Sequence, residues 1–397
     1  MLLSMLFWML PPGIAAFPTD HFSPGEHAVA MHASTQEAGE PPFLGKRTLT
    51  STQREEPCRR DQELANAARW AAKVLAERQQ GPGYWLTSYT DDARFEQPHQ
   101  EMNTFTNAIM VDIAGPVAEA AGIAGLLAHA RDFLASQIEA GGLVRYHGRP
   151  DAPTIGKLGC AITPDADDTA LIWRIAPGAR RELLPTALAT LNRFRTADGL
   201  YKTWLAPQDR YECIDPGKDP NPADIGIQMH VLMLLAQVAP PAAHALCRAL
   251  SQESTNESVW VYYRAAPLIP LLRLTDLQKA GCSLQLPRSR QQTTVPGQEV
   301  WVEAAQLLRR MESTEATSAV HSKAADLLRK LAANEFSLVA HAPPLLYHND
   351  FSAHVRRFYW SEDVGYALWL RLYFENERAR LKLPCRGSDA KVGCAYK

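Results

Sequence analysis

The chain has 397 residues, 46% of them hydrophobic, which is ample for a large core in one or two domains. Its 41 basic and 43 acidic residues nearly cancel, so charge gives no reason to expect nucleic acid as a partner, and no apolar run is long enough to span a bilayer. Seven scattered cysteines without a CxxC pair read as mostly free thiols, which favours a reducing, cytoplasmic location.

In chain order, the opening segment MLLSMLFWMLPPGIAA is apolar, with Gly13 and Ala15 at cleavage spacing but no preceding Lys or Arg. It reads either as a signal peptide, which makes secretion or periplasmic export the alternative location, or as a false start ahead of Met31. Residues 17–60 are polar and Pro-punctuated and are expected to form a disordered lead-in. The catalytic domain is expected over 61–376 and a C-terminal tail over 377–397.

From Gln62 onward two kinds of helix alternate. QELANAARWAAKVLAERQQ, IAGLLAHARDFLASQIEA from Ile123 and RELLPTALATLNRFRTA from Arg181 each carry one apolar stripe and one charged face. NTFTNAIMVDIAGPVAEA from Asn103, DDTALIWRIA from Asp167 and ADIGIQMHVLMLLAQVA from Ala223 are apolar nearly all round and belong inside. Glycine-aromatic turns at Gly83, Gly142 and Gly199 recur every 57–59 residues, and a further aromatic cluster starts at Val259. The pattern implies an all-α protein, an α/α barrel (toroid) of about five or six helix pairs, with irregular insertions near 276–298 and 335–356. A helical bundle or solenoid is the alternative.

In such a ring the inner helices run parallel and their N-termini share one mouth. Asn103-Thr104, Asp165 to Thr169, Asn221 to Asp224, Glu257-Ser258 and Ser361 to Asp363 all read as capping sequences at that mouth. Capping accounts for one carboxylate per helix. PDADDTALIWRIAP, Pro164 to Pro177, has three within four residues, and the helix dipole favours a nearby anion by only about 0.3–1 kcal/mol. Holding one carboxyl protonated beside its neighbours relieves the repulsion and yields a proton donor aimed into a cavity.

DADDTALIW resembles the DxDDTA motif of class II terpenoid cyclases, squalene–hopene cyclase above all. The close match covers about ten residues, and the barrel pattern loosely covers 62 to 375. The resemblance implies α/α barrels and protonation of an isoprenoid by the middle aspartate, so Asp167 is the expected acid, with Asp165 and Asp168 as its supports. It departs from that family in having room for a single barrel and no glutamine-tryptophan repeats, so the substrate does not carry over.

Other residues fit carbocation chemistry, which needs a dry cavity with π-faces. Phe105, Trp173, Trp204, Tyr262, Tyr263, Trp360 and Tyr366 are the expected aromatic lining, although core packing alone explains about half of such residues. In the acidic stretch Tyr211 to His230, Asp224 is the expected site residue; Asp215 and Asp219 fit ordinary turns, and His230 reads as a core histidine. Arg356 and Arg357 are placed to hold a diphosphate, with Arg145, His147 and Lys202 as weaker choices. No cofactor is required, Mg²⁺ entering only with a diphosphate. The expected partner is a small isoprenoid, and a homodimer is open. Two other functions compete: an α/α-barrel glycosidase or polysaccharide lyase pairing Asp167 with Asp224 or Glu362, and a non-catalytic binding module with an acidic mouth.

Overall fold

The computed structural model describes residues 51–90, 96–157, 159–178, 180–214, 221–313, 317–352 and 355–380. Most of the expected lead-in and tail lies outside them, including the segment that reads as a signal peptide. The first helix, α1 (Ser51–Arg78), begins ten residues ahead of the expected boundary at 61. The last, α11 (Glu362–Arg380), runs past 376.

The protein is an all-α toroid. Between those two helices lie α2 (Thr104–Ala114), α3 (Ala124–Ser136), α4 (Ala166–Ile175), α5 (Leu184–Arg193), α6 (Ile225–Val238), α7 (Pro240–Glu253), α8 (Leu268–Lys279), α9 (Glu299–Glu312) and α10 (Ser318–His341). Among the described residues six helices close the inner ring, each packed on the next in the order α2, α4, α6, α8, α9, α11 and back to α2; α1, α3, α5, α7 and α10 pack outside. The inner helices earn their place by composition: α2 and α6 bury almost every residue. α3, α5 and α7 bury one stripe each.

The repeat has a hydrogen-bonded basis. In the first three units a cap residue opens the inner helix and a polar residue four positions on reaches back to the turn that precedes it. Asn107 Oδ1 accepts from the Trp85 N–H at 2.7 Å, Thr169 Oγ1 from Val144 at 3.0 Å, and Gln228 Oε1 from Tyr201 at 2.7 Å. Each bonded residue lies two after Gly83, Gly142 or Gly199, all at positive φ. A Cβ at Gly83 or Gly142 would stand 2.7 Å from a neighbouring carbonyl oxygen, so the turn requires glycine. The first turn of each helix is also stitched to the next unit, Thr104 N–H to Tyr146 O and Ala166 N–H to Thr203 O, both at 2.8 Å.

Two expectations fail locally. The fourth inner helix does not start near Glu257-Ser258, a short 3₁₀ turn; α8 starts at Leu268 behind Pro267. Between α8 and α9 no outer helix forms, and an irregular return brings Val295 back against Ala266 and Leu345. The second insertion is not irregular: with the turn after α1 it builds a four-stranded antiparallel sheet of order β2-β1-β4-β3, from β1 (Thr87–Thr90), β2 (His99–Glu101), β3 (Leu345–Ser352) and β4 (Val355–Trp360). β1 pairs Ser88 with Trp360, and β3 pairs Tyr347 with Tyr359. Because β2 leads into α2 and β4 into α11, the sheet stands at the mouth of the ring.

The free-thiol reading also fails for four of the seven cysteines. Cys160–Cys213 and Cys247–Cys282 are disulfides with Cα atoms 5.8 and 5.7 Å apart. That removes the cysteine pattern as a reason for a reducing compartment. Among the described residues no helix is long and apolar enough to cross a membrane.

Candidate active site

A cavity of about 220 Å³ opens at the N-terminal ends of α2, α4 and α6, with the sheet as one wall. The three aspartates of the acidic motif line it and divide the work. Asp165 is the cap of α4 and accepts the Asp168 N–H at 2.7 Å. Asp168, 2% exposed, accepts from the Thr104 hydroxyl at 2.6 Å. Asp167, one residue before it on the helix, projects towards the cavity and keeps 14% of its side chain exposed. Burial drives all three carboxyls upward. Asp167 is raised to about 7 against the pull of Arg273. Asp168 is also raised to about 7, opposed by its bonds to Asp165 and Thr104, and Asp165 is held well above the ordinary carboxylate range by burial and by the Asp168 charge.

Behind Asp167 stands His230 of α6, fully buried. Its Nδ1 is 2.5 Å from Asp167 Oδ1, and its Nε2 is 2.9 Å from Nε of Arg273 on α8. A guanidinium only donates, so His230 Nε2 must accept and the ring proton sits on Nδ1, facing Asp167. Burial, with the positive charges of Arg273 and Arg174, holds His230 well below its ordinary pKa, so this contact is a hydrogen bond from a neutral ring and not an ion pair. Arg273 and Arg174 both pair with Asp112 of α2, whose carboxyl they pull below the usual range although burial opposes them. With Oδ1 of Asp167 taken by the histidine, a proton on Asp167 belongs on Oδ2. The motif thus presents a carboxyl whose proton position is set by residues on three other helices.

The structure brings only part of the expected set to the cavity. Phe105, Trp204, Tyr262, Tyr263 and Arg357 line it with the three aspartates. Gly226 lets Tyr263 reach that wall, since a Cβ at 226 would overlap its ring. Asp224 does not line the cavity: fully buried, it caps α6 through Oδ1, and its Oδ2 accepts the N–H groups of Val261 and Tyr262 at 2.9 and 3.0 Å. Its place is structural because both of its oxygens are committed to backbone N–H groups. Trp173 is core, its Nε1–H donating to Gly142 O at 2.7 Å. Tyr366 packs on Trp70 and Phe336 on the outer side of α11. Trp360 is buried in β4 and is not part of the cavity lining. The Arg356 side chain, Asp215 and Asp219 fall outside the described residues. Asp363 and Glu362 sit at the same end of the ring but pair with Arg78 instead of facing the cavity.

Sequence reasoning missed a second group of lining residues. Tyr347 and Tyr359 come from the sheet and stack at 4.3 Å, with Phe105 edge-on to Tyr347 at 5.4 Å. Tyr146, also missed, comes from the turn after Gly142 beside His147, which the sequence offered only as a weaker phosphate contact. The alternating aromatics of LLYHNDF and VRRFYW are a hairpin signal that would have placed two of them together. Cys213 also lines the cavity, and its disulfide to Cys160 ties two of the mouth loops to each other.

Among the described residues no group of three His, Cys, Asp or Glu side chains could hold a metal ion. No protein-family model matches the chain, and no curated protein matches it. Among solved structures it is similar to the type II terpene cyclase MstE from Scytonema in complex with its substrate, geranylgeranyl dihydroxybenzoate. One variant of that enzyme aligns at 14% identity and a TM-score of 0.50, covering 81% of this chain and 99% of that one. Another aligns at 15% and 0.49 over the same share of each. A protein from Actinoplanes aligns at 17% and 0.43 over 80% of this chain and 99% of that one. At this level of identity the likeness is one of fold.

Proposed function

We propose that the chain is a terpenoid cyclase-like enzyme in which Asp167 protonates an isoprenoid and starts a carbocation cyclisation. The observation that carries this reading is the Asp167–His230–Arg273 chain. It puts a carboxyl with a raised pKa of about 7 into the cavity with one oxygen already satisfied, so that its proton faces the substrate space. A carboxylic acid gives up that proton to an alkene only in a water-poor site with the conjugate base stabilised as it forms. The His230 N–H is aimed at the carboxylate that remains, and Arg273 supplies positive charge behind it.

The lining suits the intermediates. Phe105, Trp204, Tyr262 and Tyr263 offer ring faces to a migrating cation, which is stabilised by about 0.5–2 kcal/mol per well-placed ring. Arg357, also at the wall, would meet a carboxylate or phosphate on the head of the substrate, with Mg²⁺ entering only alongside a diphosphate. The last step is loss of a proton.

The test is incubation of the protein with polyprenyl diphosphates, geranylgeranyl dihydroxybenzoate and a set of oligosaccharides, with products read by mass spectrometry. A cyclised isoprenoid is expected. Conversion of a sugar and of no isoprenoid overturns the proposal. Asp167→Asn keeps the size of the side chain and an oxygen for His230 but has no proton to give. Turnover is expected to fall on the order of 10²–10⁴-fold in a folded protein; an active variant removes Asp167 from the mechanism.

A further inference from the structure

The proposed cyclisation ends by giving up a proton, and nothing in the Asp167 network accepts one from the far end of a substrate. Glu101, the last residue of β2, is 2% exposed, and among the described residues no Lys or Arg forms an ion pair with it. Three donors converge on it instead. Oε1 is 2.7 Å from the Tyr146 hydroxyl and 3.4 Å from Asn103 Nδ2, and Oε2 is 3.1 Å from His147 Nε2. His147 Nδ1 is buried with no partner. An orphaned lone pair is the cheaper choice over an orphaned N–H, which puts the histidine proton on Nε2, directed at Glu101. An arrangement of donors on both oxygens suits a carboxylate, which only accepts.

The carboxylate does not line the cavity, but it is connected to it. Tyr347 lines the cavity and donates its hydroxyl hydrogen bond to the Tyr146 oxygen, and Tyr146 in turn donates to Glu101. A lone phenol in a cation-bearing cavity is a hazard, because its oxygen can trap the cation. Backed by a carboxylate it becomes a base.

Resting on the cyclase reading above, we propose that Tyr347 removes the terminal proton of the cyclisation and that Tyr146 relays it to Glu101. The electron pair of the broken C–H bond becomes the new C=C bond. The released proton goes to Tyr347 Oη as Tyr347's own proton moves to Tyr146 Oη and Tyr146's to Glu101 Oε1. A cation and a carboxylate thereby become an olefin and a neutral acid, with both phenols unchanged. Burial raises the pKa of both phenols well above the ordinary value, so neither is ionised beforehand and the carboxylate is the sink. Tyr347 is the catalytic base that touches substrate; Tyr146 and Glu101 act through it.

The test compares wild type, Glu101→Gln and Tyr347→Phe on geranylgeranyl dihydroxybenzoate, with near-ultraviolet circular dichroism as the check on folding. Tyr347→Phe keeps the ring stack on Tyr359 and deletes only the hydroxyl, so it decides the matter if Glu101→Gln does not fold. Both variants are expected to lower the share of the wild-type olefin by at least about tenfold, in favour of alcohols heavier by one water or of isomeric olefins. A purely structural role for these residues would change the rate and leave that product ratio alone. Wild-type cyclisation to an olefin with an unchanged ratio in Tyr347→Phe overturns the relay and leaves the cyclase reading standing. A wild-type product that is itself a water-captured alcohol also overturns the relay. No conversion by wild type of this or any other isoprenoid overturns the cyclase reading and the relay together.

Discussion

At the scale of single residues, the proton on Asp167 is placed by what its neighbours can do. Arg273 can only donate, His230 must therefore accept from it and donate to Oδ1, and Oδ2 is left for the proton. Activity should follow the protonated fraction of Asp167. With the carboxyl raised to about 7, kcat/KM is expected to be level on the acid side and to fall about tenfold per pH unit above neutrality. A profile flat to pH 9 would contradict that assignment. The sign for stability is the same. Because the folded-state pKa lies above the unfolded one, the contribution is full below about pH 4 and is lost at up to about 1.4 kcal/mol per pH unit as pH rises towards 7. Asp167→Asn should therefore match wild type in acid and melt higher than wild type at pH 8, read by thermal unfolding at both pH values.

At the scale of elements, the units of the ring are joined at their helix starts, and this separates the cap residues Asp165 and Asp224 from Asp167. Asp224 and Asp165 occupy equivalent places, each opening an inner helix four residues before the polar side chain that grips the preceding turn. Asp224 also carries the two backbone N–H groups of Val261 and Tyr262, and so holds an aromatic wall of the cavity in place from behind. Asp224→Asn would set an amide donor against donors at one of these positions, or lose an acceptor at the other. The expected cost is about 1–3 kcal/mol in denaturant unfolding. Turnover should stay within about tenfold of wild type, a barrier change of about 1.4 kcal/mol, because Asp224 does not line the cavity. A loss of activity as deep as that of Asp167→Asn would return Asp224 to the chemistry.

At the scale of the whole molecule, the ring is closed by contacts between unlike units. Where α8 passes to α9 without an outer helix, the Cys247–Cys282 disulfide ties α7 to the start of the irregular return. The bond spans 35 residues, and in the chain-entropy account a loop of that length corresponds to about 3–4 kcal/mol. Reduction, or the double replacement Cys247→Ser with Cys282→Ser, should lower the melting temperature accordingly. Alkylation followed by mass spectrometry should find Cys160 bonded to Cys213 and Cys247 to Cys282 in the untreated protein. Seven alkylatable thiols in that experiment would refute both bonds and restore the reading of the cysteines as free.

Much of the architecture was legible before any coordinates. The inner or outer place of a helix depends on how apolar its circumference is, and α2, α4 and α6 with α3 and α5 declare this in composition. The acidic motif was legible too, because three carboxylates exceed what one cap needs within a single short segment. The sheet was not: β1 and β2 are only a few residues long, and β4, the other partner of β1, lies more than 250 positions away, so no local periodicity marks them. Nor did the sequence keep Asp224 out of the cavity lining or bring His230 to Asp167. Asp224 and Asp165 carry the same capping signal, and His230 sits on an apolar helix like any core histidine. Only packing decided that Asp224 spends its oxygens on backbone and that His230 stands between Asp167 and Arg273. Local pattern reports how a residue relates to its own helix, whereas its chemistry is set by neighbours 43 and 63 positions away in the chain.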